Sequence, residues 1–248
     1  MAKMFFVSDA HIGSIDDVAY KRFMSFIDRM KKETATHLFI LGDLFEFLHG
    51  RGAYITKKYN KLFTELESLS LTGTKIYYLY GNHDFDFTLP FNFIHSASSI
   101  DKLKVDAKNI MVSHGDGLDP KDTKYRFLKS IVRSGLFRAS VKMIPDSVLY
   151  RLAGLFSVVS RSSNPGKMVN DNRFLCYRDY AVEKLSHSDL DVVVLGHTHV
   201  PDLSRVTSKD GKIKYYINTG YFGKNGTYGM IDNDTVCVGV FNNKMLLS

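Results

Sequence analysis

The chain has 248 residues, a formal net charge of +7, 44% apolar residues and two cysteines. That length can bury one substantial core, and no apolar run reaches the roughly 18 residues a membrane span needs. Cys176 and Cys237 stand far apart and are too few for a disulfide framework, so both are read as reduced thiols.

The charge is concentrated. Between residues 121 and 170 ten Lys or Arg face only Asp122 and Asp146, which leaves the rest of the chain close to neutral. A basic segment that is also apolar suits an anionic lipid surface. It has few aromatic platforms for bases, so nucleic-acid binding is not expected.

Residues 3–7 read as a first strand ending at Ser8-Asp9, with no signal peptide visible before it. A cytoplasmic location is therefore expected. Phe23, Phe26, Ile27 and Met30 recur at helical spacing within 18–32. Residues 37–41 form a second apolar run, which delivers Gly42-Asp43. Tyr59, Leu62, Phe63, Leu66 and Leu69 mark another amphipathic helix. Residues 75–80 lead to Gly81-Asn82-His83-Asp84, and 109–112 lead to Ser113-His114-Gly115-Asp116.

From about 119 to 169 regularity gives way to mixed apolar and basic residues, with Pro145 able to start a helix and a turn-rich close at 160–166. This reads as a helical insertion within one domain spanning 1–248. Residues 174–185 suit a return helix. Val192-Val193-Val194-Leu195 then runs straight into Gly196-His197-Thr198-His199. Residues 203–207 and 212–218 read as a hairpin, and 228–231 and 235–241 as closing strands.

Five polar clusters thus end five apolar runs, at the place where ligands collect in α/β folds. Asp9, His11, Asp43, Asn82, His114, His197 and His199 offer oxygen and imidazole donors with no thiolate. Such a set suits Mn²⁺, Fe or Zn²⁺. Seven ligands exceed one tetrahedral ion and suit two, and two ions about 3.5–4 Å apart can clamp a phosphoryl displacement. Asp43, alone at its strand end, is the candidate bridge. His37, His49, His95 and His187 lie outside the clusters and are read as ordinary side chains.

The ordered set Asp-x-His, Gly-Asp, Gly-Asn-His-Asp, His-Gly-Asp and Gly-His-Thr-His resembles the calcineurin-like metallophosphoesterases, over residues 4 to about 222. The resemblance implies an α/β fold, a four-layer α-β-β-α sandwich with a helical insertion cap. It places one divalent ion, Mn²⁺ as first choice, on Asp9, His11, Asp43 and His199. The second falls on Asp43, Asn82, His114 and His197. It also implies that His83 protonates the leaving oxygen or stabilises phosphoryl charge, with Asp84 orienting His83 or a ligand from behind.

Asp122 and Tyr125, with the later Ser160-x-x-x-Asn164-x-x-Lys167, resemble the UDP-2,3-diacylglucosamine diphosphatases of lipid A biosynthesis. That likeness implies substrate contacts from Asn82, His83, Asp122, Ser160, Asn164, Lys167 and His197. It also implies a lipid-linked nucleotide as substrate and peripheral attachment to the cytoplasmic face of the inner membrane, with no obligate protein partner. His83 departs from it, since the best-known branch has Arg there, and Arg offers a fixed fork of donors that His lacks. A soluble phosphodiesterase acting on nucleotides or other small phosphoesters is the alternative.

Overall fold

The computed structural model describes residues 1–49, 53–85, 89–120, 174–208, 210–241 and 245–247, with positions 123, 130, 134, 144 and 148 besides. Most of the expected insertion, including Asp122, Ser160, Asn164 and Lys167, lies outside the described residues.

The first half of the chain supplies β1 (Lys3–Val7), α1 (Val18–Lys32), β2 (His37–Ile40), β3 (Leu48–His49), α2 (Ala53–Lys58), α3 (Asn60–Leu71) and β4 (Lys75–Leu79). β5 (Asp84–Phe85), β6 (Ile94–Ala97), β7 (Ser99–Val105) and β8 (Lys108–Ser113) follow. The second half supplies α4 (Phe174–Ser186), β9 (Val192–Leu195), β10 (Pro201–Thr207), β11 (Ile213–Thr219) and α5 (Phe222–Asn225). β12 (Thr227–Asp232), β13 (Thr235–Val240) and β14 (Met245–Leu247) complete it.

These strands form a seven-stranded sheet, ordered β14-β13-β12-β1-β2-β4-β6, and a five-stranded sheet, ordered β10-β11-β9-β8-β7. β1, β2, β4 and β6 run parallel, as do β8, β9 and β11. Their carboxyl ends therefore collect at one edge of each sheet. Buried parallel strands need apolar side chains on both faces, which explains why these segments read as continuous apolar runs. The expected hairpin is present, with β10 antiparallel to β11.

Side-chain alternation separates the layers. Phe5, Val7, Leu38, Ile40, Ile76 and Tyr78 join the core formed with α1 and α3. Their neighbours Met4, Phe6, Phe39, Leu41 and Leu79 point the other way and pack with Ile110, Val112, Val192, Val194 and Ile217. The outer face of the second sheet, with Met111, Val193, Leu195 and Tyr216, is covered by Tyr177, Ala181 and Leu185 of α4. The order is helix, sheet, sheet, helix, as expected.

Strands β3, β5, β6, β7 and β14 and the short helices α2 and α5 escaped the sequence reading. β6 and β7 carry mostly exposed side chains and sit at sheet edges, so they lack the apolar runs of the central strands. The two-residue pair β3 and β5 is too short to leave a periodic signal.

Candidate metal centre

Asp9, His11, Asp43, Asn82, His83, His114, His197 and His199 all lie just past the ends of β1, β2, β4, β8 and β9. The loops that carry them turn sharply. Asp9, His11, Asp43, His197 and His199 have φ of 55°, 47°, 55°, 67° and 59°. Only a small part of non-glycine residues adopts such left-handed backbone, and it costs roughly 1–3 kcal/mol each when the surroundings enforce it.

Two groups of donor atoms result. In the first, Asp9 Oδ1 stands 3.1 Å from His199 Nε2 and 3.7 Å from His11 Nε2, and the two imidazole nitrogens are 3.4 Å apart. In the second, His114 Nε2 stands 3.0 Å from Asn82 Oδ1, 3.1 Å from His197 Nδ1 and 3.5 Å from Asp43 Oδ2. Asp43 Oδ2 is also 4.0 Å from His11 Nε2 and 3.9 Å from His83 Nε2, so one carboxylate oxygen reaches both groups. Ligands held 2.0–2.1 Å from a single ion stand about 3.0–3.4 Å from one another. The donor set and its spacing fit two divalent ions that share Asp43.

The remaining bonds aim these atoms. His114 donates from Nδ1 to the Leu41 carbonyl at 2.7 Å, which leaves Nε2 as a lone-pair donor. Asp9 Oδ2 is held by the Ser8 hydroxyl and by the His197 backbone N–H at 3.0 Å, so Oδ1 faces the imidazoles. Ser8 in turn meets the Thr219 hydroxyl at 2.6 Å. Asp43 Oδ1 accepts the His83 N–H at 2.9 Å. Asp84 is buried and accepts from the backbone N–H of Asp43 at 3.1 Å and of Gly81 at 2.8 Å, and from the Tyr78 hydroxyl at 2.9 Å. It locks the loop after β4 to the loop after β2. These loops are so close that a Cβ on Gly81 would lie 2.2 Å from Asp43 Oδ1.

His83 is mounted differently. Its Nδ1 donates to the Glu46 carbonyl at 2.6 Å and its side chain keeps 35% of its surface exposed. It faces the site from the solvent side while Asp9 and Asp43 are buried beneath.

The electrostatics call for cations. Burial disfavours charge on Asp9, yet His199 and His11 outweigh it and hold the carboxyl well below its usual range. Burial also opposes charge on His114, but Asp43, Asp9 and Asp116 push its pKa up to about 9. Burial and then the charge on His114 bring His197 down to about 4. Two buried carboxylates, Asp9 and Asp43, thus draw positive charge to the site.

Sequence reasoning did not find Ser8, Tyr78, Glu46, Thr219 or Tyr221. Ser8 adjoins a cluster and could have been suspected. Thr219 lies 211 residues from Ser8, and no local pattern connects them.

The family model described as calcineurin-like phosphoesterase matches residues 2–201. A UDP-2,3-diacylglucosamine hydrolase from Yersinia pestis is 28% identical over 207 residues, covering 81% of this chain and 83% of its own. A Yersinia pseudotuberculosis serotype O:1b protein of the same name is 26% identical over 206 residues, with the same coverage. Among solved structures, an Escherichia coli phosphoesterase is 17% identical with a TM-score of 0.49, covering 98% of this chain and 96% of its own. Dimetal members of the matched family use two divalent metals, in keeping with the two donor groups around Asp43. The chain belongs to the calcineurin-like phosphoesterases and is a metal-dependent hydrolase.

Proposed function

We propose that the chain hydrolyses the pyrophosphate of UDP-2,3-diacylglucosamine to UMP and 2,3-diacylglucosamine 1-phosphate, using two Mn²⁺ ions at the cytoplasmic face of a membrane. The observation that carries the reaction class is the Asp43 carboxylate reaching two donor groups. The named relatives support the substrate, as does the basic and apolar segment at 121–170.

One ion is assigned to Asp9, His11, Asp43 and His199, and the other to Asp43, Asn82, His114 and His197. Bound there, the ions supply Lewis-acid activation of the phosphoryl oxygens and of water. The protein's part is orientation and charge. Ser8 and the His197 N–H hold Asp9, while Asp84 and Tyr78 hold the Asp43 loop. His83, fixed through Nδ1, keeps Nε2 toward the site and gives a proton from that atom to the departing oxygen. Water adds to phosphorus as the P–O–P bond breaks, and the two products carry away one phosphate each. Asp122, Ser160, Asn164 and Lys167 are assigned to the substrate headgroup, with Lys167 as a point charge for phosphate.

His83, where the best-known branch of the resembled diphosphatases has Arg, favours a second reading: a phosphodiesterase for nucleotides or other small phosphoesters. Purified protein with Mn²⁺ and UDP-2,3-diacylglucosamine, its products identified by mass spectrometry, separates the two. UMP plus the lipid phosphate is the expected result. No turnover of the lipid, with a chromogenic diester still cleaved, would discard the lipid substrate and keep the metal site.

A further inference from the structure

A metal-bound imidazole is usually oriented by a hydrogen bond from its other ring nitrogen. His114 has that support through Nδ1 to the Leu41 carbonyl, and His83, the proton donor, has the same kind of bond to the Glu46 carbonyl. Among the described residues, Nδ1 of His11 and Nδ1 of His199 have no such bond. Something else must hold these two rings with their Nε2 atoms 3.4 Å apart.

Tyr221 occupies that position. Its ring centroid lies 4.3 Å from that of His199, tilted by 35°, and 5.6 Å from that of His11, edge-on at 83°. His11 and His199 themselves meet edge-to-face at 5.3 Å. The three rings form one packed cluster, at separations where aromatic rings pack edge-on or tilted.

The backbone around Tyr221 is tied to the loop it supports. Phe222 N–H donates to the Ser8 carbonyl at 3.3 Å and Gly223 N–H to the Asp9 carbonyl at 3.1 Å. Gly220 N–H donates to Asn218 Oδ1 at 3.1 Å. Contact is so close that a Cβ on Gly223 would lie 2.1 Å from the Ala10 carbonyl oxygen. Tyr221 is therefore fixed relative to Asp9 and His11.

We infer that Tyr221 is a positioning residue for one ion only, its ring doing for His11 and His199 what a carbonyl does for His114. The inference rests on the two-metal reading of the site. Its test titrates Mn²⁺ into metal-free wild type, Tyr221→Phe and Tyr221→Leu by calorimetry. Electron paramagnetic resonance of the loaded proteins then distinguishes spin-coupled pairs from isolated ions. Tyr221→Phe should match wild type. Tyr221→Leu should bind one ion about 10- to 100-fold more weakly, the scale of lost outer-shell support, and show isolated Mn²⁺ where wild type shows a pair.

Equal binding by Tyr221→Leu and wild type overturns the inference. So does a loss already complete in Tyr221→Phe, which would assign the effect to the hydroxyl. Equal weakening of both ions, with a lower melting temperature in the metal-free variant, would make Tyr221 a general structural residue instead. A wild type that takes up only one ion would refute the two-metal reading, not the role of the ring.

Discussion

Asp43→Asn separates the two things Asp43 does. Asparagine keeps an Oδ1 acceptor for the His83 N–H and tolerates the left-handed φ of 55°. It replaces the Oδ2 that stands 3.5–4.0 Å from the Nε2 atoms of His114, His83 and His11 with a donor that cannot ligate. An ion at 100 times its Kd stabilises the folded state by about 2.7 kcal/mol, so two contribute roughly 5. At about 2–4 °C per kcal/mol for a chain this size, wild type should gain roughly 10–20 °C on saturation with Mn²⁺. Asp43→Asn should lose most of that gain, and kcat/KM should fall by more than the roughly 10–100-fold typical of outer-shell changes.

The metal-free protein should respond much less. Burial and then the Asp43 charge push Asp84 up to about 6. An acid raised in the folded state contributes stability that is complete below its ordinary range near 3.8. That contribution is lost as pH rises through about 6. At pH 7 the metal-free wild type bears the full cost, and Asp43→Asn removes one of its two sources. The same substitution removes the attraction of Asp43 for His114, so the two losses offset and metal-free Asp43→Asn should melt within a few degrees of wild type. Thermal unfolding in chelator and across a Mn²⁺ titration, with turnover on the same samples, measures both effects. A full metal-induced shift with undiminished turnover would refute the shared carboxylate. Metal-free melting several degrees below wild type would make Asp43 a structural residue.

Two further substitutions probe the frame. Gly81→Ala places a methyl 2.2 Å from Asp43 Oδ1 and 3.0 Å from the Asp43 backbone nitrogen, so the loop after β2 must move. The purified variant should hold fewer than two ions by elemental analysis, and full occupancy would show that the loops have slack. His37, stacked on Phe39 and Tyr77, is lowered by burial and then by the Lys75 charge. Its stabilising contribution is full above the ordinary imidazole range near 6.5 and declines as pH falls below it. Denaturant unfolding from pH 7 to 5 should show a shallower loss for His37→Phe than for wild type, and equal slopes would remove His37 from the acid response.

What the sequence disclosed follows from where each signal is stored. Val192–Leu195 is buried on both faces, so its whole length is apolar and its end is plain from the change to Gly196-His197. The same holds for β1 and β2, with every residue from Met4 to Val7 and from His37 to Ile40 buried. β6 and β7, exposed on one side, have no such edge to detect. The residues that aim the ligands are hidden for another reason. Ser8 with Thr219 and His199 with Tyr221 meet only once the chain has folded. Ser8, Thr219 and Tyr221 are ordinary polar or aromatic residues with no spacing to distinguish them.

The strained backbone gives a second reading of the same site, independent of ligand chemistry. Among the described residues, eight besides glycine have left-handed φ. Thr34, Asp106 and Asn233 lie in turns, where short polar residues relieve the strain locally. The other five are Asp9, His11, Asp43, His197 and His199, gathered in the loops that follow β1, β2 and β9. At a cost of roughly 1–3 kcal/mol each, a folded chain keeps five of them together only if neighbouring contacts over-determine the loops. The backbone bonds from Asp9 N–H to Gly42 and from His11 N–H to Asp43, together with the Asp84 carboxylate, supply that constraint. These bonds hold the donor atoms at the spacing of ligands around an ion, so local backbone stability is exchanged for the placement of the donors.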